Sequence, residues 1–287
     1  MPTVQIADRA VIRVAGPEAE SFLQNILTPD LTVLGTDEAR PGALLTPQGK
    51  ILFDFLISRT GSDGFLLECS SETAQDFLKR LMLYKLRAKA DVSLQEQEPV
   101  LVSWESDSAS SHTDSGGIRD CRFPETVNVR RHQGGEMQAE ASLEDWERLR
   151  IAHGVAESGS DYALGEAFPH DVLLDQNGGV GLRKGCYVGQ EVVSRMHHRG
   201  TARRRLVIVR GEDPLPAPGG ELTAEGRPLG KLGTVQGADG LAIVRIDRAA
   251  EARQAGTQVL AGTVPVTLRV PAYAGFSLDG TDESGPA

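Results

Sequence analysis

The spacing of apolar side chains along this chain changes period several times, and each change marks an expected element. Residues 11–15 read as a short strand. Gly16-Pro17 then opens a helix, because proline is tolerated in a first turn. Ala19, Phe22, Leu23, Ile26 and Leu27 form its apolar stripe, and Thr28-Pro29-Asp30 ends it. Residues 42–46 and 51–59 are expected strands split by the turn Pro47-Gln48-Gly49. Gly61-Ser62-Asp63-Gly64 turns the chain into a third strand over 65–69. Ser71 precedes a helix with Ala74, Phe77, Leu78, Leu81 and Met82 on one face. Residues 89–95, 100–104 and 121–129 read as further strands. A helix follows Ser142, with Asp145 completing a short variant of the capping box, and Leu143, Trp146 and Leu149 as its buried positions.

The C-terminal part is patterned differently. After the proline- and glycine-rich stretch 211–220 come short apolar runs at 230–234, 241–244, 258–260 and 264–270, with 206–210 as an earlier strand. Regular short strands between turn residues predict a small β-barrel or sandwich. Strands and helices before it do not alternate as in a doubly wound sheet, so the fold class is α+β. Residues 105–118 are polar and small and predict a mobile surface loop. Residues 277–287 predict a frayed, disordered tail.

The densest chemistry lies at Lys184-Gly185-Cys186-Tyr187-Val188-Gly189-Gln190-Glu191. Two glycines around a thiol and an aromatic ring imply a tight turn or a close backbone approach. Beyond Gly189 the pattern turns helical, with Val192, Val193 and Met196 on one side and Gly200 as the stop. Cys186 is thereby placed in a loop just ahead of a short helix, near its positive end. Arg183 and Lys184 favour its thiolate if their side chains converge on it. A lone cysteine also has a plainer reading, as a small buried hydrophobe. Local physics leaves both open.

Composition narrows the classes. The chain has 287 residues, 40% of them hydrophobic, enough for two or three packed units. A net charge of -10 argues against direct nucleic-acid binding. A local cationic cluster remains at Arg195, Arg199, Arg203, Arg204 and Arg205, either a solvated face or an anion site. No run of 18 apolar residues predicts a membrane span, and the N-terminus shows no signal-peptide pattern. Cys69, Cys121 and Cys186 form no CxxC pair, which points to a reducing cytoplasm and away from a protein-only zinc or iron–sulfur site. One cysteine per chain can still share a cluster across a partner. His197 and His198 are adjacent, so on a helix they diverge and make poor joint ligands.

KGCYVGQE resembles the K-G-C-[FY]-x-G-Q-E signature of the YgfZ family, folate-binding relatives of the glycine-cleavage T-protein, a group that includes the mitochondrial Iba57 branch. VAGPEAESFLQNILTPDL is similar to the opening segment of the same superfamily. The resemblance implies a folate-binding region of two α+β lobes over 1–204, a β-barrel over 205–276, and tetrahydrofolate as cofactor. It implies support of iron–sulfur enzymes or assembly proteins, including a tRNA-methylthiolating enzyme, with a transient cluster at the motif cysteine as one form of that support. Cys186 is then the reactive thiol: a nucleophile, a redox-sensitive group or a transient cluster ligand. Lys184, Gly185, Tyr187, Gln190, Glu191, Asp171 and Arg199 are the candidate cofactor-binding residues. Lys184 would tune the thiol or bind an anion; Gln190 and Glu191 would hold the loop or recognise a partner. The T-protein's acidic pair maps to Phe53 and Asp54, so one acid is missing and Asp54 remains. An acidic pair lets one carboxylate tune the other for proton transfer. The alternative activity, aminomethyl transfer or another folate-dependent one-carbon transfer, is weakened by that loss.

Overall fold

The computed structural model describes residues 1–95, 99–105, 116–133 and 138–279. Most of the loop expected at 105–118 and of the tail expected at 277–287 lies outside the described residues. The chain divides into two compact units, Met1–Leu143 with Asn177–Val192, and Glu144–Gln176 with Val193–Ala287.

The first unit is built on a nine-stranded sheet. Its strands are β1 (Thr3–Ile6), β2 (Arg9–Ala15), β3 (Glu38–Leu45), β4 (Ile51–Thr60), β5 (Gly64–Ser70), β6 (Asp91–Leu94), β7 (Val100–Ser103), β8 (Ile118–Asp120) and β9 (Arg130–Gln133). They lie in the order β1-β7-β9-β8-β3-β4-β5-β2-β6, antiparallel except where β3 meets β8. Alternation decides which face each side chain takes. Ile12, Val14, Phe53, Phe55, Ile57, Phe65 and Leu67 turn to one core, which is covered by residues of α1 (Ala19–Gln24) and α2 (Ala74–Lys85). Phe77 of α2 stacks on Phe53 at 4.9 Å and on Phe55 at 5.5 Å. Buried charge lies elsewhere in this unit. Glu68 accepts from Arg9 and Arg131, and Asp120 accepts from Arg122 and Arg131. Burial alone would raise the Asp120 carboxyl, but the two guanidiniums hold it well below the ordinary carboxylate range.

Three local expectations fail for identifiable reasons. Residues 121–129 are not a strand; they connect β8 to β9. Pro124 there has no N–H to give a ladder, Glu125–Val127 is a 3-10 turn, and Asn128 takes a left-handed φ of 41°. Met82 is 49% exposed, because Phe77 and Leu81, with Leu78 and Tyr84 beside them, form the face of α2 that packs on the core. Leu143 is likewise exposed at the start of α3 (Leu143–His153), which buries Trp146, Arg150 and Ile151.

The second unit contains a closed barrel in the order β10-β13-β12-β11-β14-β15. Its strands are β10 (Arg204–Gly211), β11 (Glu221–Ala224), β12 (Arg227–Gln236), β13 (Asp239–Arg245), β14 (Val259–Ala261) and β15 (Val264–Arg269). Val207, Val209, Leu222, Leu232, Ala242, Val244 and Ala261 fill it. The pairing of β10 with β15 closes the sheet on itself and removes its edges. Helix α4 (Gln190–His198) precedes the barrel, and α5 (Ile246–Gln254) sits between β13 and β14.

Candidate functional site

The motif segment is fixed from below by backbone contacts within the first unit. Thr28, fully buried, donates from Oγ1 to Gly179 O at 2.7 Å and accepts from Ala43 N at 2.9 Å. Its own carbonyl accepts from Gly181 N at 2.8 Å. Lys184 adds the next tie: Nζ donates to Leu27 O at 2.8 Å and Pro29 O at 2.7 Å. Burial draws the lysine down to about 8, with the Asp30 charge opposing it. The ammonium also lies 5.3 Å from the centroid of the buried Tyr187 ring, whose phenol burial pushes up to about 12. Lys184 and Tyr187 therefore anchor the segment on either side of the cysteine.

Gly189 supplies the close approach that the sequence suggested. Its φ is 79°, and a Cβ there would come within 2.5 Å of Thr46 O. The turn glycine Gly49, φ 80°, faces it, with a Cβ site 2.8 Å from Val192 Cβ. A side chain at either position would push the motif off the β3–β4 turn. Gly185, by contrast, has open space around its Cβ site. Cys186 follows it and is exposed. Four residues later α4 begins at Gln190, whose N–H donates to Tyr187 O, and Glu191 stands exposed in its first turn. The other thiols differ. Cys69 is buried and Cys121 half-buried, and burial pushes both up to about 12. Asp54 is half-buried on β4 opposite Ala43. Its neighbour Phe53 belongs to the aromatic core, so the position of the missing acid serves packing.

Asp171 and Arg199 belong to the second unit. Asp171 is buried and accepts from Phe168 N at 3.1 Å, closing a turn. That turn leads to a polar cluster around Arg205, the one buried member of the arginine run. Arg205 Nη1 donates to both oxygens of Asp175, at 2.8 and 2.9 Å, and to His170 O at 2.9 Å. Its Nε is buried with no hydrogen-bond partner, as are both ring nitrogens of His170. His170 Nε2 stands 4.0 Å from Asp175 Oδ2. Asp175 and Arg205 line a cavity of about 760 Å³ together with His197, Arg199, Tyr273 and Phe276.

Among characterised proteins, the mouse iron–sulfur cluster assembly factor IBA57, a mitochondrial protein, is 33% identical over 279 residues, covering 83% of this chain and 75% of its own length. The chain belongs to the IBA57 family. The human member is 34% identical over 273 residues, with 82% and 75% covered. Residues 203–276 match the CAF17 C-terminal beta-barrel domain, the span of the observed barrel. The crystal structure of the glycine cleavage system aminomethyltransferase T from Bartonella henselae superposes with a TM-score of 0.67 at 16% identity, over 95% of this chain and 86% of that one. The fold of this IBA57 family member is thus the aminomethyltransferase fold, a mixed α+β sheet with a six-stranded C-terminal barrel. The relatives are mitochondrial by name, which overturns the expectation of a cytoplasmic protein. Cysteine usage reports a reducing environment and cannot tell one reducing compartment from another.

The cluster of His170, Asp175 and Arg205 was only partly legible. His170 and Asp175 lie close in sequence to Asp171, which the resemblance marks, and Arg205 belongs to the arginine cluster that reads as either a solvated face or an anion site. Its burial follows from the strand period of β10, where Arg205 faces inward and Arg204 outward.

Proposed function

We propose that this chain is an iron–sulfur cluster assembly factor that offers the Cys186 thiolate to a cluster in transit and binds tetrahydrofolate in the cavity of its second unit. The exposure of Cys186 carries the reading. The other two cysteines are shielded and held as thiols, whereas Cys186 stands free on a segment anchored at Lys184, Tyr187 and Gly189. A thiolate is the form that binds iron, and access decides which cysteine supplies it. Among the described residues no group of three or more His, Cys, Asp or Glu side chains converges for a metal. The remaining ligands of a cluster would therefore come from another protein or a small thiol, and the cluster is cargo. The relatives' name, iron–sulfur cluster assembly factor, supports the same class. A tRNA-methylthiolating enzyme is the client that the motif resemblance suggests.

The folate part rests on fit. A flat pterin needs apolar walls, a hydrogen-bonding edge and cations for its glutamate tail. Tyr273 and Phe276 offer walls, Asp175 with Arg205 a polar edge, and Arg199 a cation. When bound, tetrahydrofolate supplies a one-carbon carrier and an oxidisable pterin.

The test is Cys186→Ser in cells lacking the wild-type protein. Cluster-dependent enzyme activities should fall several-fold, while the purified variant keeps the wild-type melting temperature and tetrahydrofolate affinity. Full activity of those enzymes with the variant would refute the thiol role.

A further inference from the structure

The C-terminal end of α2 is built against its own stability. Leu86 is 84% exposed and Leu83 62%, with Met82 beside them at 49%. Helical spacing puts Met82 and Leu83 on one exposed stripe after Gln75 and Lys79, and Leu86 follows as the cap of the helix. Leu86 takes a φ of 49°, a positive value that favours glycine. A leucine there is unfavourable twice over, in backbone strain and in solvated apolar surface. Among the described residues no hydrogen bond or ion pair accounts for that choice.

Charge along this segment runs opposite to the net charge of the chain, with the Glu18 carboxylate accepting from Lys89 N at 2.9 Å at its far end. Lys79, Arg80, Lys85, Arg87 and Lys89 fall between Phe77 and Ala90 with no acid among them, in a chain of net charge -10. Cations near a helix C-terminus are favourable on their own account, and Lys79 pairs with Asp76 at 2.9 Å. Neither fact explains the leucines. Aliphatic side chains projecting from a ring of lysine and arginine match a bilayer surface: the chains enter the acyl boundary and the cations meet anionic headgroups. A protein partner fits less well. Protein hot spots favour aromatic anchors in shaped pockets, and three flexible side chains fall well short of the roughly 800 Å² per partner of a standard interface. The chain has no spanning helix among its described residues, which leaves a surface contact open.

We infer that the tip formed by Met82, Leu83 and Leu86, with Lys85, Arg87 and Lys89 around it, is a reversible contact site for anionic phospholipid membranes. The inference stands independently of the cluster and folate readings.

Co-sedimentation of the full chain with vesicles tests it, using pure phosphatidylcholine against phosphatidylcholine with about one third phosphatidylglycerol. The chain should pellet with the anionic vesicles and stay in solution with the neutral ones, and added salt should release it. Leu86→Gly is the decisive variant. It should raise the melting temperature by relieving the backbone, yet weaken vesicle binding about tenfold. Lys85→Gln and Arg87→Gln should each weaken it about fivefold. Wild-type protein left in solution with anionic vesicles overturns the inference, as does a Leu86→Gly variant that pellets like wild type. Retention on immobilised poly-glutamate without vesicle binding would assign the tip to an acidic protein and likewise overturn it.

Discussion

Two buried arginines in the second unit, Arg150 and Arg205, show one residue type in two settings, tied through both guanidinium arms in one place and through a single arm beside a cavity in the other. Arg150 is 2% exposed and donates to Val155 O at 2.9 Å, Asp161 Oδ2 at 2.8 Å and Thr234 Oγ1 at 3.0 Å, with Glu157 at 3.5 Å from Nε. Asp161 in turn accepts from the backbone N–H groups of Glu157 and Thr234, both at 2.8 Å. Gly233 leaves room for it, since a Cβ there would come within 2.5 Å of Asp161 Oδ1. Arg205, 9% exposed, makes its hydrogen bonds through Nη1 alone, whereas Arg150 makes them through both Nη1 and Nη2; Nε makes no hydrogen bond in either. Buried polar groups without partners are costly and correspondingly rare. An arginine tied through both Nη atoms closes a scaffold. Arg205, tied through one, lies on a cavity wall, where it belongs to the proposed folate site.

The largest effect is expected at Arg150. Asp161→Ala leaves the Arg150 charge buried without its main partner and should cost about 3–5 kcal/mol, read as a lower denaturation midpoint. A loss under about 1 kcal/mol would mean that the ring around Arg150 does not hold the unit together. The site at Arg205 should respond in the opposite currency. Arg205→Lys keeps a cation for Asp175 but removes the planar fork, so stability should change by less than about 1 kcal/mol while tetrahydrofolate affinity falls about tenfold. Calorimetric titration and thermal melts on the same samples separate the two. Lost stability with intact affinity would place Arg205 with Arg150 as scaffold.

The sequence made part of this contrast visible. Strand and helix periods located β2 to β5, α2 and most of the barrel, because their apolar residues face one core each. The position of Cys186 ahead of a short helix was also readable, from Gly189 and the apolar spacing after it. Periodicity failed where a polar residue takes a core position. Leu143, Trp146 and Leu149 are the expected buried positions of α3; Trp146 is buried, but Arg150 is buried where Leu143 and Leu149 are not, because its partners Asp161 and Thr234 arrive from later in the chain. Lys184 is the same lesson in the motif. Adjacent to the cysteine in sequence, it reads as a group that tunes the thiol or binds an anion, yet its ammonium reaches carbonyls of Leu27 and Pro29, more than 150 positions earlier. β11 and α5 went unseen because a four-residue strand and an alanine-rich helix carry little apolar period.

His170 gives the smallest and most specific test of the unsaturated cluster. Burial holds its imidazole down to about 4, below the ordinary 6.5, with Arg205 and His197 adding to the effect and Asp175 opposing it. Above pH 6.5 the ring is neutral in both folded and unfolded chains, so it contributes no pH dependence. As pH falls from 6.5 towards 4 the unfolded chain takes up a proton that the folded chain refuses. Stability is therefore lost across that window, with a slope of at most about 1.4 kcal/mol per pH unit, and levels off below it. His170→Leu should flatten the slope between those limits. Some slope should persist from His132, which burial and Arg130 also depress. Denaturant midpoints measured at pH 7, 5.5 and 4.5 on both proteins check it. If the leucine variant keeps the full wild-type slope, the histidine is not held neutral, and water or a proton already satisfies the nitrogens that the cavity reading leaves for a ligand.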